Sequence, residues 1–133
     1  MFKTLTIIDD DPVYQLIAGK LINKTEIFSH PTFFNSGIDA IEEFKKEENP
    51  LPHIILLDIN MPYMDGWQFI KKLKQLRPNC KEETNIYIVS SSISERDKHK
   101  AEEIEEVIDF ISKPLHVERL KAIGKNTNQK INF

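Results

Sequence analysis

Cysteine is almost absent from this chain, since Cys80 is the only one among 133 residues. A single thiol excludes an internal disulfide and any metal site built from several cysteines. The residues around it, 77–81, are mostly polar, so we expect Cys80 to be an incidental thiol in a loop. A chain of this length is able to bury a sizeable core without such cross-links.

Long hydrophobic runs and basic clusters are also missing. No apolar run is long enough for a membrane span or for the core of a signal peptide. The formal net charge is −3, and no basic stretch interleaved with aromatic residues suggests nucleic-acid binding. The composition, 40% hydrophobic and 29% charged, is typical of one globular domain. We therefore expect a cytoplasmic protein that binds neither nucleic acid nor membrane.

The most informative stretch is residues 54–62, Ile-Ile-Leu-Leu-Asp-Ile-Asn-Met-Pro. Four consecutive branched apolar residues are too short for a buried helix and are typical of a strand covered on both faces. Asp58 follows directly, at the carboxyl end of the strand, where open α/β sheets bind their ligands. A carboxylate is costly there unless solvent or a cation reaches it. Asp58 is therefore the first candidate functional residue.

Short apolar runs alternate with helical patterns along the whole chain, which predicts a parallel sheet with right-handed crossovers. The predicted strands are 5–8, 27–34, 54–57, 86–89 and 107–111. Pro31 places the second strand at an edge of the sheet, because a proline cannot donate to a ladder. We expect an exposed connector at 79–85, a polar helix from 94 to 106 and a polar tail at 125–133.

Polar side chains follow four of these strands. Asp9 and Asp10 follow the first, Asp58 the third, Ser90 ends the fourth and Lys113 follows the fifth. Because parallel strands share one carboxyl edge, we expect these groups to converge. Three carboxylates repel one another unless a divalent cation neutralises them, and oxygen ligands without His or Cys favour Mg²⁺. With a hydroxyl and a lysine beside it, Asp58 would suit a phosphoryl group as its nucleophile.

Each feature also has a simpler explanation. An aspartate after a strand is commonly a helix cap or turn residue, and residues 9–11 before Pro12 would also suit a cap cluster. Residues 90–92 would likewise suit an ordinary turn. The joint occurrence of these groups at one edge of the sheet is what favours a phosphoryl-acceptor site.

On these residues the chain resembles the receiver domain of a bacterial two-component response regulator, over nearly its whole length. The matching motifs are Ile-Ile-Asp-Asp-Asp-Pro at 7–12, Leu-Asp-Ile-Asn-Met-Pro-Tyr-Met-Asp-Gly at 57–66, Val-Ser-Ser at 89–91 and Ser-Lys-Pro at 112–114. The resemblance, which is to the chemotaxis-type receivers, implies a flavodoxin-like (βα)5 fold. Its five-stranded parallel sheet would have the order 2-1-3-4-5, within a receiver domain spanning residues 1–124.

The resemblance also implies roles for the site residues. Asp58 would accept a phosphoryl group from a sensor histidine kinase or a histidine phosphotransfer protein, and Ser90 and Lys113 would contact its oxygens. Mg²⁺ would be bound by the carboxylates of Asp10 and Asp58 and by the backbone carbonyl of Asn60. Asp9 would contribute through a water molecule. Such a protein is a signalling switch and not an enzyme in the usual sense, because it catalyses only its own phosphorylation and dephosphorylation.

The chain departs from the family pattern around the fifth strand. In the family an aromatic residue there rotates inward as the hydroxyl corresponding to Ser90 moves, and this chain has Phe110 in place of the commoner tyrosine. Without a phenol oxygen, Phe110 would couple the site to the surface more weakly or differently. Residues 102–106 are strongly acidic, which favours a solvated helix over an unusual partner surface. Asn60 and Ser92 would tune hydrolysis of the phosphoryl group.

No output domain is visible after residue 124, so we expect a receiver that signals by phosphorylation-dependent binding to a downstream protein, or by phosphorelay. The resemblance also allows a phosphorylation-dependent homodimer. The alternative is a pseudo-receiver that serves as a phosphate-independent interaction module. An aspartyl-nucleophile hydrolase is disfavoured, because Asn60 stands where such enzymes carry a second aspartate.

Overall fold

A computed structural model describes residues 3–91 and 94–131 of the chain. Its five strands are β1 (Leu5–Ile8), β2 (Thr32–Phe34), β3 (Ile54–Leu57), β4 (Asn85–Ser90) and β5 (Val107–Ser112). Its helices are α1 (Pro12–Thr25), α2 (Gly37–Phe44), α3 (Gly66–Leu76), α4 (Cys80–Glu83), α5 (Glu95–Glu103) and α6 (Val117–Ile131).

The strands form one parallel sheet in the order β2-β1-β3-β4-β5, so the flavodoxin-like prediction is confirmed. β2 lies at an edge, as the position of Pro31 predicted. Every residue of β1, β3 and β4 is buried, which explains why these strands are mostly apolar.

Helices cover both faces of the sheet and divide the core into two layers. Alternate strand residues face opposite sides, so Ile55 and Leu57 pack in the layer with α2, α3 and α5, while Ile54 and Leu56 pack with α1 and α6. Within the described residues, no helix has the length and apolar character needed to cross a membrane.

The second strand is shorter than predicted. The sequence indicated a strand over residues 27–34, but β2 begins only at Thr32. Phe28 forms an isolated bridge with Lys3, and the chain is irregular from there to Pro31. Pro31 has no backbone N–H for a ladder, which accounts for the interruption.

The predicted connector at 79–85 and the predicted tail also differ from the structure. The connector contains the short helix α4. The first residue of this helix, Cys80, is fully buried in the core. The prediction of an incidental loop thiol was therefore wrong, because Cys80 packs among the apolar residues behind α3. The last helix continues to Ile131, well beyond the start of the predicted polar tail at residue 125.

The polar helix before β5 ends earlier than predicted, at Glu103 rather than near Glu106. The exposed side chains of Glu102, Glu103 and Glu105 fit the predicted solvated surface. Glu106 differs, because its side chain is buried and lies 3.4 Å from the ammonium group of Lys74. One of the four acidic residues therefore anchors the turn into β5.

Candidate functional site

The carboxyl edge of the sheet brings three aspartates together. Ile8 pairs with Leu57 in the ladder between β1 and β3, so Asp9 and Asp58 leave neighbouring strands at the same level. The amide of Asp58 donates to the carbonyl of Ile8 at 3.0 Å. Carboxylate oxygens of Asp9, Asp10 and Asp58 all lie within 4.8 Å of one another. The edge therefore holds a compact cluster of oxygen ligands.

The N-terminus of α1 gives the three consecutive aspartates different tasks. Asp11 is the N-cap, and its carboxylate accepts hydrogen bonds from the amides of Val13 and Tyr14 at 3.0 and 3.3 Å. Asp9 accepts from the amide of Asp11 at 2.9 Å and is almost fully buried. Asp10 is exposed. The simpler cap explanation is thus correct for Asp11 and leaves the other two carboxylates for the cluster.

The loop after β3 closes tightly over the backbone of Asp58. The amide of Gly66 donates to the carbonyl of Ile59 at 2.8 Å, and a Cβ at Gly66 would lie 2.7 Å from the carbonyl oxygen of Asp58. Asp65 caps α3 in a reciprocal capping box with Gln68. Glycine is therefore required at 66, because the start of α3 approaches the backbone of Asp58 closely. This contact fixes the backbone position of Asp58.

Lys113 supplies a cation at the acidic cluster. Its Nζ donates to a carboxylate oxygen of Asp9 at 2.8 Å and lies 4.0 Å from the centroid of the Tyr14 ring. Its backbone amide donates to the carbonyl of Ser90 at 3.0 Å, which fixes the start of the β5–α6 loop to β4. The Lys113–Pro114 peptide bond is cis. The cation is thereby held between an aspartate and an aromatic face.

The remaining predicted residues lie around this cluster. Ser90 is buried at the end of β4, whereas Asn60 is exposed in the loop after Asp58. Phe110 is half-buried on β5, and the ammonium group of Lys98 on α5 lies 5.5 Å from its ring centroid. Ser92, for which the sequence predicted a role in hydrolysis, lies outside the described residues.

The local electrostatics favour a cation at the cluster. Burial, followed by the charge of Asp9, raises the pKa of Asp58 to about 6, although Lys113 acts in the opposite direction. Burial and the charges of Asp9 and Asp58 likewise raise the pKa of Tyr14. The charge of Lys113 does not balance that of three carboxylates, and a hard divalent cation such as Mg²⁺ would offset the excess negative charge. The donor set fits that ion.

Sequence reasoning missed two residues that shape the site. Gln15 donates from its side-chain amide to the carbonyls of Asp9 and Phe34, at 2.7 and 3.0 Å, and so joins the ends of β1 and β2. Tyr14 supplies the ring beside Lys113. The position of Tyr14 in the first turn of α1 was a usable signal, but the reach of Gln15 depends on tertiary structure.

Comparison with known proteins gives consistent matches. The family model of the response regulator receiver domain matches residues 5–125. The chemotaxis protein CheY of Thermotoga maritima is 30% identical over 132 residues, covering 94% of this chain and 98% of that protein. The crystal structure of a two component response regulator from Cytophaga hutchinsonii superposes with a TM-score of 0.91 and 29% identity, over 97% of this chain and 99% of that one.

Some relatives are much longer than the matched region. A probable C4-dicarboxylate response regulator, DctR of Priestia megaterium, is 26% identical over 118 residues, which is 89% of this chain but 48% of that protein. The chain thus spans about half the length of this curated relative.

Proposed function

Since the chain belongs to the response regulator receiver family, we propose that Asp58 accepts a phosphoryl group in a Mg²⁺-dependent reaction in the cytoplasm. The donor would be a phosphohistidine of a sensor kinase or a phosphotransfer protein. The phosphorylated form would signal by binding a downstream protein or by passing the phosphoryl group on. The observation that carries this proposal is the position of Asp58, beside two other carboxylates, one of which accepts a hydrogen bond from Lys113.

The proposed chemistry follows from the charges at the site. A pKa of about 6 leaves Asp58 mainly ionised at neutral pH, so its oxygen is available to attack phosphorus while the phosphorus–nitrogen bond of the donor breaks. Lys113 already donates to Asp9, and a move of its ammonium group toward Asp58 would offset charge on the phosphoryl oxygens. The hydroxyl of Ser90 would donate to another of these oxygens.

The acidic cluster would hold the ion. We assign Asp9, Asp10 and Asp58, with the backbone carbonyl of Asn60, as the Mg²⁺ ligands, Asp9 acting through water. The close packing of the three carboxylates supports this assignment. The bound ion would supply positive charge next to the transferring phosphoryl group.

An exposed apolar surface on α1 supports a protein as the phosphoryl donor. Val13, Leu16 and Ile17 expose 64%, 63% and 52% of their area, directly after the acidic residues of the cluster. A patch of this kind beside a reactive group is typical of a protein docking site. The donor would pack on this face of α1 while its histidine reaches Asp58.

The route from Asp58 to the downstream partner would run through Ser90 and Phe110. Phosphorylation adds charge and acceptor oxygens at Asp58, and movement of Ser90 toward them would make room for the Phe110 ring. The half-buried position of Phe110 against the core supports such a movement. If phosphorylation-dependent binding of a partner, or a phosphorylation-dependent homodimer, persists unchanged in Phe110→Ala, this route is wrong.

We propose that residues 1–124 form the receiver domain.

Intact mass measured after incubation with acetyl phosphate, with and without Mg²⁺, tests the proposal. We expect one Mg²⁺-dependent phosphoryl adduct, absent in Asp58→Asn. The matched control is Asp65→Asn, in which asparagine preserves the N-cap of α3, and it should carry the adduct at the wild-type level. The absence of any adduct in the wild type, beside a competent receiver in the same buffer, would identify a pseudo-receiver instead.

A further inference from the structure

A surface groove lies between α3 and the end of α5, away from the acidic cluster. Its volume is about 510 Å³, and the half-buried side chains of Trp67 and Ile104 lie on its two sides. The charged residues that line it are all lysines, namely Lys71 and Lys74 of α3 and Lys100 of α5. A chain of net charge −3 thus has a positively charged groove with an apolar interior.

Two of these lysines have no carboxylate partner within the part of the chain that the structure describes. Lys74 lies 3.4 Å from the buried carboxylate of Glu106, so its charge is already offset. Lys71 makes no ion pair there, and Lys100 instead places its ammonium group 5.2 Å from the ring centroid of Trp67. A partner would therefore meet one apolar aromatic face flanked by two available cations.

We propose that this groove binds an acidic segment of a partner protein. A helical segment would place one apolar side chain against Trp67 and Ile104, while its carboxylates pair with Lys71 and Lys100. Charge complementarity selects an acidic partner, and buried aromatic residues are common anchors of such interfaces. A helix lying in a groove between two helices is a frequent mode of peptide recognition.

The groove also fits an acidic peptide better than it fits a nucleic acid. Its two available lysines are too few to follow a phosphate backbone, whereas they match the few carboxylates of one short helical segment. This inference does not depend on phosphorylation of Asp58, because the groove is already formed in the unphosphorylated structure.

The single tryptophan of the chain provides a direct readout. The probe is a panel of short synthetic helical peptides without tryptophan, in which glutamates at helical spacing surround one leucine. We expect a saturable change in Trp67 fluorescence that weakens with salt. Peptides with glutamine in place of glutamate should bind at least about tenfold more weakly.

Charge reversals on α3 and α5 distinguish the groove from general electrostatics. Lys71→Glu and Lys100→Glu should each weaken peptide binding by roughly tenfold. Lys72→Glu is the matched control, since Lys72 is an exposed neighbour on α3 that does not line the groove, and its binding should equal that of the wild type. Thermal melting of each variant checks that the fold is intact.

Three results would overturn the proposal. One is the absence of any fluorescence change with every acidic peptide in the panel. Another is equal weakening by Lys72→Glu. The third is self-association in analytical ultracentrifugation that disappears in Lys71→Glu and Lys100→Glu, which would make a second copy of the chain the occupant. Adduct formation at Asp58, measured on the same samples, reports separately on the proposed receiver function.

Discussion

At the scale of single residues, the protonation state of Asp58 links the stability of the fold to pH. Its pKa is raised from 3.8 to about 6, so in the absence of a cation the folded protein binds this proton more tightly than the unfolded chain does. The neutral carboxyl group therefore contributes stability that is fully present below about pH 4 and is lost as the pH rises through about 6. Ionisation of Asp58 therefore lowers the stability of the metal-free fold.

This reasoning predicts a pH-dependent effect of Asp58→Asn. In a chelator at about pH 8, the variant should be more stable than the wild type by roughly 2 kcal/mol, and the difference should disappear near pH 4. Urea denaturation of both proteins across this range gives the free energies of unfolding. A difference independent of pH would show that Asp58 is not held in an unfavourable charge state.

Gly66 tests whether the backbone around Asp58 is as tightly packed as the structure indicates. In Gly66→Ala the new methyl group would meet backbone atoms, the carbonyl oxygen of Asp58 at 2.7 Å and the Cα of Ile59 at 3.0 Å. We expect a loss of roughly 2–4 kcal/mol in stability, because backbone atoms cannot move aside cheaply. Phosphoryl adduct formation should slow in the same variant.

The matched control for this change is Gly124→Ala. There the closest atom, at 2.8 Å, is the terminal methyl group of Ile27, which is able to rotate away. Thermal melting should show a much smaller loss for Gly124→Ala than for Gly66→Ala. If the two losses are equal, the approach of the loop to Asp58 is not a specific constraint.

At the scale of helices and strands, Arg77 joins α3 to the end of α2. Its buried guanidinium donates to three backbone carbonyls, those of Phe44, Lys46 and Asn49. These carbonyls belong to the last turn of α2 and to the loop before β3, and the carbonyl of Lys46 also accepts from the amide of Asn49 at 3.0 Å. One side chain therefore fixes the segment that leads into the strand of Asp58.

We predict that Arg77→Met destabilises the fold by roughly 2–4 kcal/mol, because three carbonyls lose a charged donor in a buried position. Arg96→Met provides the control, since Arg96 is exposed on α5, and it should change the melting temperature little. Thermal unfolding of the two variants beside the wild type measures the difference. Equal melting temperatures would mean that solvent replaces the Arg77 hydrogen bonds.

The same scale shows what a sequence is able to predict for this fold. The strands β1, β3 and β4 were predictable, because a parallel sheet buries both of their faces and their residues are therefore mostly apolar. β2 was read as too long, since its pattern continues through Phe28, whereas pairing with β1 starts only after Pro31. The short helix that buries Cys80 was unreadable, because its residues are polar apart from that one side chain.

The candidate site also has features that the sequence predicts and features that it does not. The residues at the ends of the strands were predictable, because strand order alone brings Asp9, Asp58 and Lys113 to one edge. Their contacts were not, since the ring of Tyr14 beside Lys113 and the bonds from Gln15 depend on how α1 packs. The sequence likewise does not show that Asp11 is the N-cap of α1 while Asp9 and Asp10 belong to the cluster.

For the molecule as a whole, cation binding should be linked to stability. An ion that binds only the folded acidic cluster stabilises the fold by mass action, by about 2.7 kcal/mol at a hundredfold excess over its dissociation constant. We therefore expect Mg²⁺ to raise the melting temperature of the wild type and to do so much less in Asp10→Asn. Asp11→Asn, which keeps an N-cap, should respond like the wild type.

A melting temperature that is insensitive to Mg²⁺ in the wild type, or an equal response in Asp10→Asn, would exclude the acidic cluster as the binding site. Such a result would also remove the proposed origin of any Mg²⁺ dependence of phosphorylation. The comparison needs no phosphodonor, so it separates ion binding from phosphoryl transfer.

The most direct test of the central proposal identifies the phosphorylated residue itself. After reaction with acetyl phosphate and Mg²⁺, borohydride reduction converts an acyl phosphate of aspartate to homoserine, and a peptide map by mass spectrometry locates it. We predict homoserine at position 58 and nowhere else. Homoserine at Asp9, Asp10 or Asp65, or at no position despite a phosphoryl adduct, would contradict the assignment of Asp58 as the acceptor.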